Sequence, residues 1–258
     1  MSAQLLSEKA FSIINGYKNF TLGFATCSIP YYNNRHVRAR AKLRAQIGKG
    51  SLKDIQDELE IVATQQKVNL KALDSITLKQ FLVDNNLGID CSGLAYYILN
   101  EESLARGKGL LKSHLFFAEP TQVLNFIRGK IRPVENTSVA TLTHNKNSRV
   151  IAVKDVMPGD IITMVGGPEG KDRDHVLVVH EVDFREGVLV SISYTHAVAW
   201  PTDGEYGHGV RQGVIRVTDL SKNIVEQDWK EAERTLQENY TYTRATKSKT
   251  EIRRLVWF

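Results

Sequence analysis

One cysteine and two histidines are the residues of this chain whose types could act together in catalysis: Cys91, His175 and His196. Cys91 lies in the run GIDCSGL, residues 88–94, where a helical pattern begins. The partial positive charge at a helix N-terminus favours a thiolate and lowers the pKa of a thiol placed there. A thiol with an imidazole in reach is the arrangement that activates a cysteine nucleophile. The sequence therefore predicts a reactive, low-pKa thiol at Cys91 and an inert one at Cys27.

The two histidines lie on predicted strands joined by a short turn, at residues 175–182 and 188–196. A turn centred on Glu186, or just before it, pairs residues whose numbers sum to about 371 or 372. His175 and His196 are therefore expected to lie opposite each other or nearly so, with Cβ atoms about 5 Å apart if directly paired. Alternation along each strand places both imidazoles on the buried face. A register slip of one residue would turn one of them away.

The elements that must position these residues change character along the chain. The pattern predicts helices first, at residues 3–20, in a charge-rich stretch at 35–82, and at 76–84, 91–101 and 120–128. Within the second of these, Ser51 and Asp54 resemble a capping box at a helix start. Strands follow at 150–153, 161–165, 175–182, 188–196 and 214–217, the last of which is the last clear strand. Helices followed by an antiparallel meander predict an α+β fold.

Length and composition are those of a globular protein. The chain has 258 residues, 42% of them hydrophobic and 24% charged, which is enough to bury a sizeable core. Two cysteines are too few for a disulfide framework and suit a reducing compartment. No signal peptide is recognised at residues 1–20, and no apolar stretch approaches the roughly 20 residues of a membrane span. We therefore expect a cytoplasmic protein without a membrane span, while export by another route stays open.

Basic residues are concentrated in two stretches, residues 35–44 and 244–254, and the net charge is +5. Such charge can attract nucleic acid, anionic membrane or acidic substrates. Neither stretch has interleaved aromatic residues for stacking on bases, so a solvated helix face and a basic tail are favoured over a nucleic-acid partner. Cys91, His175 and His196 could also bind a metal, but no further cysteine or histidine is placed to complete the site. We expect no metal and no cofactor.

Four short motifs resemble those of the NlpC/P60 family of papain-like cysteine peptidases. They are DCSGL at residues 90–94, MPGDII at 157–162, DHVLVV at 174–179 and YTHA at 194–197, and their order and spacing agree over residues 85–217. The chain departs from the family in two places. NNLG at residues 85–88 stands where the family has an aromatic residue and paired glycines, and Leu177 stands where it has a glycine. Tyr31 and Tyr32 could supply that aromatic element, separated from the motif by a helical insertion at about 33–86.

The resemblance implies a papain-like fold and a cysteine hydrolase that cleaves an amide bond. Cys91 would be the nucleophile, His175 the general base, and His196 the residue that orients His175. The backbone N–H of Cys91 would help to hold the oxyanion. The family implies a peptide substrate, a peptidoglycan stem peptide cut next to D-glutamate. The resemblance also places Asp90 and Ser92 at the substrate's free amine or its peptide, with Tyr31 or Tyr32 completing the site.

Two other functions remain open from the sequence. One is a cysteine amidase or acyltransferase that acts on another, cytoplasmic substrate, and the other is a non-catalytic basic binding protein that keeps the fold. In each case we expect a single domain over residues 1–258, with a helical insertion at about 33–86 and a basic C-terminal extension at about 222–258. The insertion is expected to shape the cleft rather than to fold alone.

Overall fold

The structure is a computed structural model, and it describes residues 2–33, 43–117, 131–167, 174–231 and 239–258. The helices in these ranges are α1 (Glu8–Lys18), α2 (Leu52–Gln66), α3 (Ser75–Asp84), α4 (Cys91–Ala105), α5 (Leu111–His114), α6 (Pro133–Asn136), α7 (Val139–Thr143) and α8 (Tyr240–Lys247). The strands are β1 (Ser2–Leu5), β2 (Phe20–Leu22), β3 (Ala25–Cys27), β4 (Ser148–Val150), β5 (Ile161–Val165), β6 (His175–Arg185), β7 (Val188–Val198), β8 (Gly209–Arg216), β9 (Asp228–Glu231) and β10 (Lys249–Leu255). The expected helix at 120–128 and most of the basic stretch 35–44 fall outside the described residues.

The helices begin where the sequence offers caps. α2 starts with the predicted capping box, in which Ser51 and Asp54 each accept a hydrogen bond from the other's backbone N–H. α4 begins at Cys91, with the Asp90 side chain accepting from the Gly93 N–H. The stretch predicted as helical over 35–82 is broken before α2 by Gly48, whose left-handed backbone ends the short 3₁₀ helix at Arg44–Ile47. Over the described ranges, no helix is long and apolar enough to cross a membrane.

The strands form an eight-stranded sheet in which every pair is antiparallel. The order is β4-β10-β5-β6-β7-β8-β9, and β1 also pairs with β6. β2 and β3 make a separate hairpin. With its helices first and its main sheet later in the chain, the protein has the predicted α+β organisation. Residues 2–5, expected to begin the first helix, instead form β1, and α1 starts only after the cap at Ser7.

The C-terminal part of the chain belongs to the sheet. The expectation that the strand at 214–217 is the last clear one is wrong, since β9 and β10 follow it and β10 lies between β4 and β5. The basic residues of β10 have partners, which is why their charge does not mark a solvated tail. Arg254 bonds both carboxylate oxygens of Asp160, at 2.8 and 2.9 Å, and the buried Arg253 bonds Ser148.

Two hydrophobic cores lie on the two sides of the sheet. The larger core joins the N-terminal helices to residues of β5–β8, and it includes Ile55 and Leu59 of α2 together with Leu94 and Ile98 of α4. The smaller core contains Ile192 and Tyr194 of β7, Trp229 of β9 and Ala245 of α8, among others. α2 thus shares its core with α4, and residues 43–86 contribute to the main hydrophobic core rather than packing only on themselves.

The hairpin of β6 and β7 carries both histidines, and its register differs from the expected one. The turn is Glu186-Gly187, both with positive φ, so Arg185 pairs with Val188. Two irregularities follow, one in each strand, and the last pair is Val178 with Thr195. Continuing this register puts His196 beside Leu177, two residues from its expected partner. The histidines are therefore diagonal neighbours rather than a direct pair, and a shift of two residues keeps both on the same face, with their rings in contact.

Candidate active site

Cys91 lies where the start of α4 meets the open end of the hairpin. The backbone N–H of Val176, the residue after His175, faces its thiol closely enough to lower the pKa of Cys91. The β6–β7 ladder ends before this point, at the pair Val178–Thr195, so the N–H of Val176 faces the nucleophile rather than a strand. Cys91 is the first residue of α4 and only 6% exposed. Helix and hairpin therefore bring the thiol to the backbone of Val176, one residue along β6 from His175.

A chain of side chains leads away from His175. Its Nε2 is 2.8 Å from Nδ1 of His196, and Nε2 of His196 bonds Oε1 of Glu231. The other carboxylate oxygen, Oε2, accepts from the Thr241 hydroxyl at 3.0 Å, and the Trp200 indole donates to that hydroxyl at 3.1 Å. Both histidines and the glutamate are buried. The two histidines that the sequence predicts to act together are thus in contact, and Glu231 extends them into a relay.

The hydrogen bonds determine where the protons lie in this relay. A carboxylate oxygen can only accept, so Nε2 of His196 carries a proton. When His196 is neutral its other nitrogen is an acceptor, and His196 Nδ1 then accepts from Nε2–H of His175. By the same rule, Nδ1 of His175 carries a lone pair. This nitrogen is the atom available as a base.

Burial governs the protonation of both reacting groups. It holds the pKa of His175 well below its usual value, and the charge of Arg244, together with that of His196 whenever His196 is protonated, acts in the same direction. Burial, with a smaller contribution from Asp90, raises the pKa of the Cys91 thiol to about 11. The Val176 N–H and the charges of Lys49 and Arg244 act in the opposite direction. The low thiol pKa expected at the helix start is therefore the wrong direction, because desolvation outweighs the helix terminus. At neutral pH the structure gives a neutral thiol beside a neutral imidazole.

The second cysteine is not distinguished from Cys91 by its acidity. Burial raises the pKa of Cys27 to about 11 as well, and the charge of Lys79 partly opposes this. Cys27 ends β3 and is half-buried. What separates the two thiols is their neighbours, since only Cys91 lies beside a histidine relay.

The residues that flank Cys91 are turned towards a lysine. Lys49 Nζ donates to Asp90 Oδ1 at 2.9 Å and to Ser92 Oγ at 2.6 Å. Its third bond goes to the Thr137 carbonyl, at 2.9 Å. Asp90 and Ser92, expected at the substrate's amine, are buried in this contact with Lys49.

Tyr31 and Tyr32 lie beside the nucleophile loop. Tyr31 forms a parallel bridge with Ile89, and its backbone N–H donates to His208 Nδ1 at 3.0 Å. Burial raises the pKa of the Tyr31 phenol, and the nearby Cys91 adds to this, so the phenol lies within electrostatic reach of the thiol. Tyr32 donates its N–H to the Ile89 carbonyl at 3.1 Å, and its hydroxyl is buried without a partner among the described residues.

Four residues of the site were not found from the sequence: Lys49, Glu231, Thr241 and Arg244. Glu231 ends the four-residue strand β9, which is too short for alternation to reveal. Arg244 lies on α8, one turn after Thr241, and its charge reaches Cys91, His175 and Tyr31. From sequence alone, Arg244 is assigned to the basic stretch at 244–254. A signal was present only for Lys49, which stands between two glycines, Gly48 and Gly50.

No group of three or more His, Cys, Asp or Glu side chains that could hold a metal ion occurs within the described ranges. Comparisons of the chain with protein-family models, with curated proteins and with solved structures found no match. The chemistry of the site therefore has to be argued from its own geometry.

Proposed function

We propose that this protein is a cysteine hydrolase of papain-like, NlpC/P60-like type that cleaves an amide bond. The observation that carries the proposal is the relay from His175 through His196 to Glu231, which begins beside the thiol of Cys91. Core packing alone does not explain two buried imidazoles and a carboxylate joined end to end. A base whose tautomer is held by a second residue, which is itself held by a third, is the arrangement of nucleophilic triads.

The first step of the proposed reaction starts from neutral groups. Nδ1 of His175 takes the thiol proton of Cys91 while Sγ attacks the carbonyl carbon of the amide. The backbone N–H of Cys91, at the start of α4, faces the oxygen on which negative charge develops. The imidazolium then gives its proton to the amide nitrogen, the C–N bond breaks, and the amine leaves.

The second step releases the acyl group. Water attacks the thioester carbon, His175 takes a proton from this water, and the C–S bond breaks. The proton returns to Sγ, so the products are a carboxylic acid and the free thiol. In both steps His196 holds the far nitrogen of His175, and Glu231 faces the positive charge that forms on the imidazole pair.

The substrate class is proposed from the resemblance and from the charges at the site. The four NlpC/P60-like motifs support a peptidoglycan stem peptide. Such peptides carry carboxylates, and the charge of Arg244, which reaches Cys91 and His175, would favour an anionic group near the scissile bond. A basic binding protein has less support, because Arg253 and Arg254 are bonded within the sheet.

Mass spectrometry of products tests the proposal. The purified protein is incubated with soluble peptidoglycan stem peptides and with unrelated linear peptides, beside the variants Cys91→Ala and Cys27→Ala. We expect cleavage of an amide bond by the protein and by Cys27→Ala, and none by Cys91→Ala. Equal cleavage by Cys91→Ala would remove the thiol from the reaction. Transfer of the acyl group to an added amine, without hydrolysis, would instead identify an acyltransferase.

A further inference from the structure

Lys49 places its ammonium inside the protein, beneath the start of α4. The residue is 7% exposed, and its Nζ bonds Asp90 at 2.9 Å, Ser92 at 2.6 Å and the Thr137 carbonyl at 2.9 Å. An ammonium has three donors, so every donor of Lys49 is used. A buried ammonium without such partners is strongly unfavourable, and this one is fully compensated.

Two of the three acceptors of Lys49 belong to the residues on either side of Cys91, Asp90 and Ser92. Oδ1 of Asp90 also accepts from the Gly93 N–H at 2.6 Å and from the Ser92 hydroxyl at 3.0 Å. With the bond from Lys49, this oxygen accepts three hydrogen bonds. The backbone adds to this connection, since the Asp90 N–H donates to the Gly48 carbonyl at 2.8 Å. Residues 48–49 therefore fix both sides of Cys91.

We propose that Lys49 is a positioning residue of the active site, whose ammonium fixes Asp90 and Ser92 around Cys91 and occupies the place where these side chains could bind a cation of the substrate. The proposal rests on the proposed cysteine hydrolase, because it concerns the same thiol. It adds a consequence for specificity. The protein supplies the ammonium itself, so a substrate needs no free amine at this point.

The acidity of the Cys91 thiol reports on this role. Several charged or titratable groups act on the thiol: Asp90 from its own loop, Lys49 from the segment before α2, Tyr31 from the segment after β3 and Arg244 from α8, and His175 lies one residue from Val176 on β6. Among them, Lys49 is a cation held beside Asp90, and its charge lowers the pKa of the thiol. A lysine that served only to fill space would leave the acidity of the thiol unchanged when replaced by a side chain of similar size.

Alkylation by iodoacetamide measures the acidity without any substrate. The rate at Cys91 is followed by mass spectrometry between about pH 7 and 11, with Cys27 as the internal reference, in the wild type, Lys49→Met, Lys49→Ala and the control Lys53→Met. Lys53 is an exposed lysine on α2, so it controls for the loss of one charge. A rise of one pKa unit lowers the thiolate, and hence the rate, about tenfold at a fixed pH below the pKa. We expect this at Cys91 in both Lys49 variants, and no change in Lys53→Met.

Chemical rescue separates the ammonium from the space that it fills. n-Propylammonium has the atoms that Lys49→Ala removes, so it should restore the rate at Cys91, whereas 1-propanol should not. An unchanged profile in folded Lys49→Met, or equal rescue by the alcohol, would overturn the proposal. If the variants fail to fold, folding of Lys49→Ala in n-propylammonium but not in 1-propanol supports it, and equal recovery in both overturns it. Alkylation does not require hydrolysis. These outcomes therefore test the role of Lys49 even if the protein cleaves none of the peptides.

Discussion

Replacing Glu231 by glutamine tests the far end of the relay with the smallest change of shape. The wild-type carboxylate accepts from His196 through Oε1 and from the Thr241 hydroxyl through Oε2. A glutamine can point its carbonyl oxygen at His196 and its amide at Thr241, whose oxygen accepts. The proton positions on the two histidines then stay as they are, the Thr241 hydroxyl changes from donor to acceptor, and the negative charge is lost. The substitution therefore isolates the contribution of that charge to the imidazolium that forms on the histidines.

The size of the effect follows from the burial of the contact. A hydrogen bond to a charged group contributes about 1.5–3 kcal/mol, and a difference of about 1.4 kcal/mol is tenfold in rate. If most of this appears in the transition state, kcat for peptide cleavage falls about 10- to 100-fold in Glu231→Gln. In Glu231→Ala His196 also loses its acceptor and can take the other tautomer, and a base in the wrong tautomer costs up to about 10⁴-fold.

The assay is the rate of peptide cleavage at saturating substrate, with folding checked by circular dichroism. Glu60→Gln, on the exposed face of α2, is the matched control and should keep the wild-type rate. Wild-type kcat in both folded Glu231 variants would refute the reasoning, because the relay would then do nothing for the reaction. A loss confined to Glu231→Ala would show that the acceptor matters and its charge does not.

The remaining predictions concern pH, substrate charge and stability. The lowered pKa of His175 keeps the base neutral in mild acid, so kcat/KM should stay level below pH 6.5 and fall only as the pH drops through that lowered value; a fall centred near pH 6.5 would contradict the buried base. Arg244→Met should raise KM for an anionic peptide several-fold and leave a neutral analogue unchanged, as compared in one kinetic series. Burial lowers the pKa of His180 from 6.5 to about 4. Between these two pH values the unfolded state binds more protons than the folded state, so the free energy of unfolding should fall by about 3 kcal/mol between pH 7 and 4. Urea unfolding should show a smaller loss in His180→Gln, and an equal loss would mean that His180 is not responsible.

Local signals in the sequence mark the candidate catalytic residues and the elements that carry them. The cap Asp90, the glycine Gly93 and the apolar spacing after it predict α4 to within a few residues of its observed end. The alternation around His175 and His196 predicts both strands and their common face. The helix start and the strand alternation depend on residues that are close together in the chain, so they can be predicted from a single sequence.

The register of the hairpin and the end of the relay depend on features that no local pattern shows. The turn lies one residue later than expected, and the two irregularities in β6 and β7 shift the pairing in opposite directions. Glu231 lies in a strand of four residues, held in place by β8 and by Thr241 of α8. Its role comes from packing between elements far apart in sequence.

Charged residues were the least predictable part of the site. A lysine or an arginine is usually exposed, so Lys49 and Arg253 are most simply assigned to the surface from sequence alone. Both are buried, because each has enough acceptors to use its donors. The acceptors of Lys49 come from residues 90–92 and 137, and those distant residues become its neighbours only after the chain folds.

In the proposed reaction, which would begin from a neutral thiol and a neutral imidazole, the permanent charges around the site would act on the charges that form. Glu231 bonds His196 at one end of the relay, and the charges of Lys49 and Arg244 reach Cys91. Proton transfer from the thiol would create a cation on the histidines, which faces Glu231, and an anion on Cys91 and then on the substrate oxygen, which faces Lys49, Arg244 and the start of α4. Arg244 opposes the cation on His175 while it favours the anion, so its net effect depends on a substrate carboxylate that would neutralise it. The same arginine would then select an anionic peptide. Once the carboxylate of that peptide neutralises its charge, Arg244 would no longer oppose the positive charge that forms on His175 when it takes the proton.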